Sequence, residues 1–167
     1  KIRVDEKNIS DILHLTVDDA IEFFKDLKEE KIVTKLKPLQ EVGLGYLQLG
    51  QSSSTLSGGE AQRVKLASFL VKGVSNDKTI FIFDEPSTGL HFHDINKLLT
   101  SLQALIELGH SVIVIEHQPD IIKSADYIID IGPEAGKHGG EVVFAGTPED
   151  LIKDKKSHTA KYLKEKL

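Results

Sequence analysis

The sequence predicts an α/β protein: a mainly parallel sheet flanked by helices, with a helical subdomain in front of it. Three observations carry that expectation. Residues 80–83 (IFIF) form an apolar run that stops abruptly at Asp84, Glu85 and Pro86. Such a run reads as a strand buried on both faces, as in a parallel sheet. Downstream, strand-like and helix-like stretches alternate, which is the grammar of parallel strands joined by crossovers. Upstream, the periodic stretches are all helical. Residues 1–75 are therefore expected to form the helical subdomain and residues 76–167 the sheet-bearing part.

Residues 1–15 give no clear pattern. From Thr16 the signal sharpens, with Asp19 three residues on as a capping-box partner. Val17, Ala20, Ile21, Phe24 and Leu27 follow at helical spacing. Residues 25–31 are highly charged and read as a solvated face or a helix end. A second helix is expected over 33–42, with Pro38 tolerable only near its start or as a kink. Gly43 and Gly45 end it. Residues 51–55 are a polar loop. Ser57 and Glu60 make another capping box, so a helix should run from there to about residue 71. Its buried stripe would be Ala61, Val64, Ala67, Leu70 and Val71.

A turn over 73–77 feeds the strand at 80–83. A helix over 94–108, capped by Asp94 and stopped by Gly109, should follow. Residues 111–117 (SVIVIEH) read as a second buried strand. A short helix at 120–124, strands at 127–131 and 141–145, and helices at 148–152 and 159–166 complete the chain.

Composition bounds the function. The chain has 167 residues, enough for one domain with a core. No cysteine is present, so disulfides and thiolate metal sites are excluded from it. A cytosolic protein is the default expectation. No apolar run is long enough to span a bilayer as a helix. The net charge of −5 argues against this piece alone gripping a phosphate backbone. The chain starts at Lys1 and contains no methionine, which suggests a segment of a longer protein.

Asp84 and Glu85 should stand at the carboxyl end of their strand, because Pro86 cannot continue it. Ligands of open α/β sheets sit at that edge. The arrangement has the form of a Walker B segment. One carboxylate serves Mg²⁺, and the next can polarise an attacking water. Gly58 and Gly59, directly behind Ser57, allow close approach of backbone to a ligand at a helix start. The unpaired N–H groups and dipole there suit a terminal phosphate. His117 ends the second strand as the acids end the first, so the three should meet at one edge. His91 and His93 form an H-x-H pair, but no third metal ligand is suggested. Residues 132–138 (GPEAGKH) are one residue short of a phosphate loop and lack its hydroxyl. A strand rather than a helix should follow them, so they read as a glycine-rich turn.

The string LSGGEAQRVKLA (56–67) resembles the signature motif of ABC-type ATPases. In that light Asp84 and Glu85 look like Walker B acids, residues 87–91 like the D-loop, and His117 like the switch histidine. No Walker A is found. The resemblance narrows further. VGLGYLQLGQSSSTLSGGEAQRVKLA (42–67), FDEPSTGLHFHDINKLL (83–99) and VIEHQPDIIKSADYIIDIGPEAGKHGGEVVFAGTPEDL (114–151) resemble the UvrA family, the damage-sensing subunits of the bacterial excinuclease. Residues 12–24 and 157–163 look like further parts of that family's second ABC unit. Ser87, where threonine is commoner, and Gln118-Pro119, where Asn-Leu is commoner, depart from the pattern.

This resemblance implies a partial P-loop NTPase domain of the ABC type. It implies ATP and Mg²⁺ as cofactors, with zinc in the parent protein but not in this segment. The implied partners are damaged double-stranded DNA, UvrB and a second UvrA copy, with no membrane. ATP binding and hydrolysis would control damage binding and UvrB loading. Each ATP would be sandwiched: Ser57, Gly58, Gly59 and Gln62 would serve one nucleotide, and Asp84, Glu85 and His117 another. Asp84 would hold Mg²⁺ through water, and Glu85 would orient or deprotonate the attacking water. The isolated segment should not hydrolyse ATP, because it lacks a phosphate cradle. The alternatives are part of a transporter ATPase and a non-catalytic interaction module.

Overall fold

The computed structural model describes residues 2–72, 77–134, 136 and 139–166, without the side chains of Lys72, Phe92 and His93. The boundary expected between residues 75 and 76, and most of the turn at 73–77, lie outside the described residues. The chain divides into two compact units, Lys1–Ile115 and Glu116–Leu167.

The first unit begins with a short helix that the sequence did not announce, α1 (Ile9–Leu13), closed by an Asn8–Asp11 capping box. Next comes α2 (Val17–Asp26) with Thr16 as its cap. The Asp19 amide donates to Thr16 Oγ1 at 3.1 Å. Val17, Ala20 and Ile21 are its buried residues. The helix α3 (Glu30–Glu41) starts three residues before its expected position and lacks a side-chain cap. Pro38 falls late in it, with Thr34 Oγ1 donating back to the Glu30 carbonyl. Val17, Ile21 and Val33 form a small core with Phe24, Leu36, Leu39 and Leu49 around it.

The helix α4 (Gly58–Lys72) buries a different stripe from the expected one. Gly59, Arg63, Leu66 and Ala67 are buried, whereas Ala61 and Val71 are exposed. The stripe is rotated because Arg63, fully buried, occupies the central position. Beyond it, β1 (Ile80–Asp84), α5 (Phe92–Glu107) and β2 (Ser111–Ile115) form a right-sized crossover, and β1 pairs parallel to β2. Burial on both faces is not observed. Ile80 and Ile82 are each 66% exposed, while Phe83 is buried and Phe81 packs edge-on to Phe69. The helix α5 starts two residues before Asp94, with His91 as its N-cap. Asp94 is therefore a first-turn acid, paired with Lys97 at 2.8 Å, and not the cap.

In the second unit the expectation of a continuing parallel sheet fails. The strands β3 (Ile128–Gly132) and β4 (Glu141–Gly146) pair antiparallel, as a sheet of their own. The connection over 133–140 is long enough for a hairpin but too short for a parallel crossover. Around the hairpin lie α6 (Pro119–Ile122), α7 (Pro148–Leu151) and α8 (His158–Leu163). Ile128, Leu151, Ala160 and Leu163 form the core of this unit. Asp130 on β3 accepts from Ser157 Oγ at 2.5 Å and Thr159 Oγ1 at 3.0 Å, which ties the start of α8 to the hairpin. No described helix is long and apolar enough to cross a membrane.

Candidate functional site

The start of α4 is built by a reciprocal capping box. The Ser57 amide donates to Glu60 Oε2 at 2.7 Å, and the Glu60 amide donates to Ser57 Oγ at 3.3 Å. The Tyr46 hydroxyl donates to the other Glu60 oxygen at 2.5 Å. That hydroxyl, first, and then the Ser57 amide hold the Glu60 carboxyl below its ordinary range. Tyr46 is pushed the other way, by burial first and then by its bond to Glu60.

The two glycines behind Ser57 differ in surroundings. A Cβ at Gly58 would meet nothing within 4 Å. A Cβ at Gly59 would lie 3.0 Å from the Thr88 carbonyl oxygen and 3.2 Å from Arg63 Nη1. A side chain at Gly59 would thus press on the 85–90 turn, which would have to give by a few tenths of an ångström. Packing within the chain makes no such demand at Gly58, and that position leaves the helix start open.

At the end of β1 the main chain turns sharply. Glu85 has φ +48°, a left-handed conformation that costs a non-glycine residue about 1–2 kcal/mol. Its amide donates to the Ile115 carbonyl of β2 at 2.9 Å. Asp84, one residue earlier, presents its main-chain groups to the opposite edge. There Gln62 meets both: Nε2 donates to the Asp84 carbonyl at 2.7 Å, and Oε1 accepts from the Asp84 amide at 3.0 Å. The neighbouring Arg63 donates from Nη1 to the carbonyls of Pro86 at 2.7 Å and Thr88 at 3.0 Å. Burial lowers the Arg63 pKa, opposed by Tyr46, Glu60 and Asp94. Among the described residues, its Nε and Nη2 find no hydrogen-bond partner.

Ser57, Gly58, Gly59, Gln62, Asp84 and Glu85 therefore lie in one unit, on α4 and on the strand end that α4 grips. Gln62 reaches the Asp84 main chain, a contact 22 residues away that no local pattern announces. His117 opens the second unit, two residues past β2. Its amide donates to Glu116 Oε2 at 3.1 Å. The H-x-H reading rests on the His93 side chain, which lies outside the described residues. In the 132–138 run, Ala135, Lys137 and His138 do so too. Sequence reasoning missed Arg63 and Tyr46. Arg63 sits four residues after Gly59 and three before Leu66, which is the buried periodicity, but its charge argued against counting it.

The residues fit a magnesium nucleotide better than a free-standing metal. Among the described residues no three His, Cys, Asp or Glu side chains group as a metal site. Mg²⁺ needs only one or two carboxylates when phosphates and water complete its shell. Asp84 at a strand end meets that requirement. The open start of α4, with Gly58 unobstructed, suits a phosphate.

An α/β segment with this arrangement belongs to a fold shared with ABC ATPases. An Atm1-family ABC exporter, solved with ATP bound, matches it with a TM-score of 0.54 over 93% of this chain and 26% of its own, at 23% identity. The chain itself belongs to the UvrA family, as a segment of its sequence. UvrABC system protein A of Agrobacterium fabrum is 56% identical over 161 residues, 96% of this chain and 16% of that protein. The crystal structure of UvrA2 from Deinococcus radiodurans matches with a TM-score of 0.83 and 44% identity, over 99% of this chain and 20% of its own. The chain thus spans about a sixth of the length of the curated relative. No protein-family model matches the chain.

Proposed function

We propose that the chain is the signature and Walker B portion of an ATPase that works in DNA-damage recognition, within the second ABC unit of a UvrA-type protein. The observation that carries this reading is the joining of two motifs. The glycine-headed start of α4 and the acids at the end of β1 are held together by Gln62 and Arg63. In the intact protein Ser57, Gly58 and Gly59 face the phosphates of one ATP. Asp84 holds Mg²⁺ of another, and Glu85 takes or orients the proton of the attacking water. Bound Mg²⁺ supplies charge neutralisation to the phosphates. By the resemblance, His117 is the switch histidine, which reaches a γ-phosphate. The energy of ATP then controls binding of damaged duplex and loading of UvrB, in a homodimer. The relatives' names support this setting; the coarser exporter likeness supports only the fold.

The test is Glu85→Gln in the full-length protein that carries this segment. ATP binding is expected to persist and steady-state hydrolysis to fall by about 10²-fold or more, the scale of a lost general base. Near-normal turnover would remove Glu85 from the role. The segment alone, titrated with Mg-ATP, is expected to bind weakly and release no phosphate. Its sequence contains no phosphate loop, and the loop supplies most of the grip.

A further inference from the structure

We propose that Gln62 is a positioning residue for the acids at the end of β1, acting through the main chain of Asp84. The inference rests on the reading of Asp84 and Glu85 given above. It explains how the start of α4 and those acids are kept in fixed relation.

Main-chain groups alternate in direction along a strand. The Glu85 amide points to β2 and is taken by Ile115. The Asp84 amide and carbonyl therefore point to the edge of β1 that faces away from β2. A neighbouring strand would pair such groups. Here one side chain does it, with bonds of 2.7 and 3.0 Å, and a carboxamide is suited to the task because it carries a donor and an acceptor side by side. The two bonds fix the orientation of the Asp84 peptide groups, hence the direction of its carboxylate. They also brace the residue just before Glu85, whose left-handed backbone persists only where its surroundings enforce it.

Gln62 sits one helical turn past the Ser57-Gly58-Gly59 start. Any tilt of that start on meeting a phosphate moves Gln62 with it. Arg63, the next residue, grips Pro86 and Thr88 and so carries the same movement to the turn beyond. The segment between Asp84 and Thr88 is thus held from one face by two consecutive residues of α4.

The experiment has two readouts. In the chain itself, amide hydrogen exchange is followed at Asp84 and at Glu85. Gln62→Ala is expected to speed exchange at Asp84 at least about tenfold, while Glu85, bonded to Ile115, keeps its protection. Gln62→Glu at neutral pH still offers an acceptor to the Asp84 amide but sets a charged oxygen against the Asp84 carbonyl in place of a donor, so it is expected to lose part of that protection. It recovers in acid, where the carboxyl regains a donor. This single variant, measured at two pH values, decides the matter even if Gln62→Ala folds poorly. In the full-length protein, Gln62→Ala is expected to lower kcat for ATP hydrolysis at least about tenfold, with KM within about threefold, because positioning fails and phosphate grip does not. Unchanged exchange at Asp84 would overturn the clamp. Faster exchange with unchanged kcat would overturn the positioning role. Should Glu85→Gln itself turn over normally, the reading of the acids fails first, and this proposal fails with it.

Discussion

Gly59 on α4 stands against Thr88: a Cβ there would come within 3.0 Å of the Thr88 carbonyl oxygen. Main chain cannot retreat as a flexible side chain can, so Gly59→Ala must displace either α4 or the turn. It is expected to destabilise the first unit by about 1–3 kcal/mol, the usual cost of overpacking. Gly58→Ala meets no neighbour and improves helix propensity, so stability should hold or rise by up to about 1 kcal/mol. Urea unfolding of both variants checks the contrast. Equal behaviour would mean that the two glycines share one structural reason. If Gly58→Ala folds well yet impairs hydrolysis in the full-length protein, the glycine serves the ligand.

Arg63 carries the second expectation. Its guanidinium is fully buried and donates to two carbonyls of the turn. Arg63→Ala removes both bonds and a large packed side chain. A loss of at least about 3 kcal/mol is expected, since hydrogen bonds from charged donors contribute about 1.5–3 each and a cavity adds to that. Arg63→Lys keeps the charge but not the fork, so it should fall between. Chemical denaturation gives the totals. Hydrogen exchange at Thr88 and Leu90 tests whether the turn loosens before the helix does.

These contacts also show what a sequence can and cannot disclose. The caps at Thr16 and Ser57 were legible because each is a local pair three residues apart. The strand end at Asp84 was legible because Pro86 bars continuation. The partners of Asp84 were not, since Gln62 lies 22 residues away. Periodicity misplaced the buried stripe of α4 because hydrophobicity alone cannot register a buried arginine. It could not tell that β3 and β4 form a hairpin, because a strand's apolar pattern does not name its partner's direction. The five-residue α1 is too short for a period to emerge.

Tyr46 and Glu60 predict a pH effect at the head of α4. The Glu60 carboxyl titrates below its ordinary 4.5, chiefly through the Tyr46 hydroxyl. A lowered carboxylate pKa stabilises the fold above the unfolded value and loses that contribution as pH falls through the folded value. Tyr46→Phe should therefore raise the Glu60 pKa toward 4.5 and flatten the acid limb of stability below it. Carboxyl NMR titration of the two proteins measures the shift. An unmoved Glu60 would assign the effect to the Ser57 amide instead.

Asp120 makes the corresponding case in the second unit. Its carboxylate, only 9% exposed, bonds Lys123 at 2.8 Å and Lys166 at 3.3 Å, and so ties α6 to the residues after α8. Lys123 is the main reason its pKa lies below the ordinary 3.8, with burial opposing and Lys166 adding. The sign is the same as for Glu60: the contribution is present above that value and disappears as pH falls through the lowered one. Asp120→Asn keeps the shape and loses the charge, so it is expected to cost about 1–3 kcal/mol at neutral pH and almost nothing near pH 2. Because the carboxylate is buried, salt should weaken the effect little. The exposed pair Asp150–Lys153, with side chains 60% and 70% exposed, is the internal control. Its variant Asp150→Asn should change stability less, and the change should fade in 1 M salt, where the screening length is only about 3 Å. Unfolding curves of the two variants at two pH values and two salt concentrations separate the cases. A strong salt effect at Asp120 would show that water reaches the pair and that its burial contributes nothing.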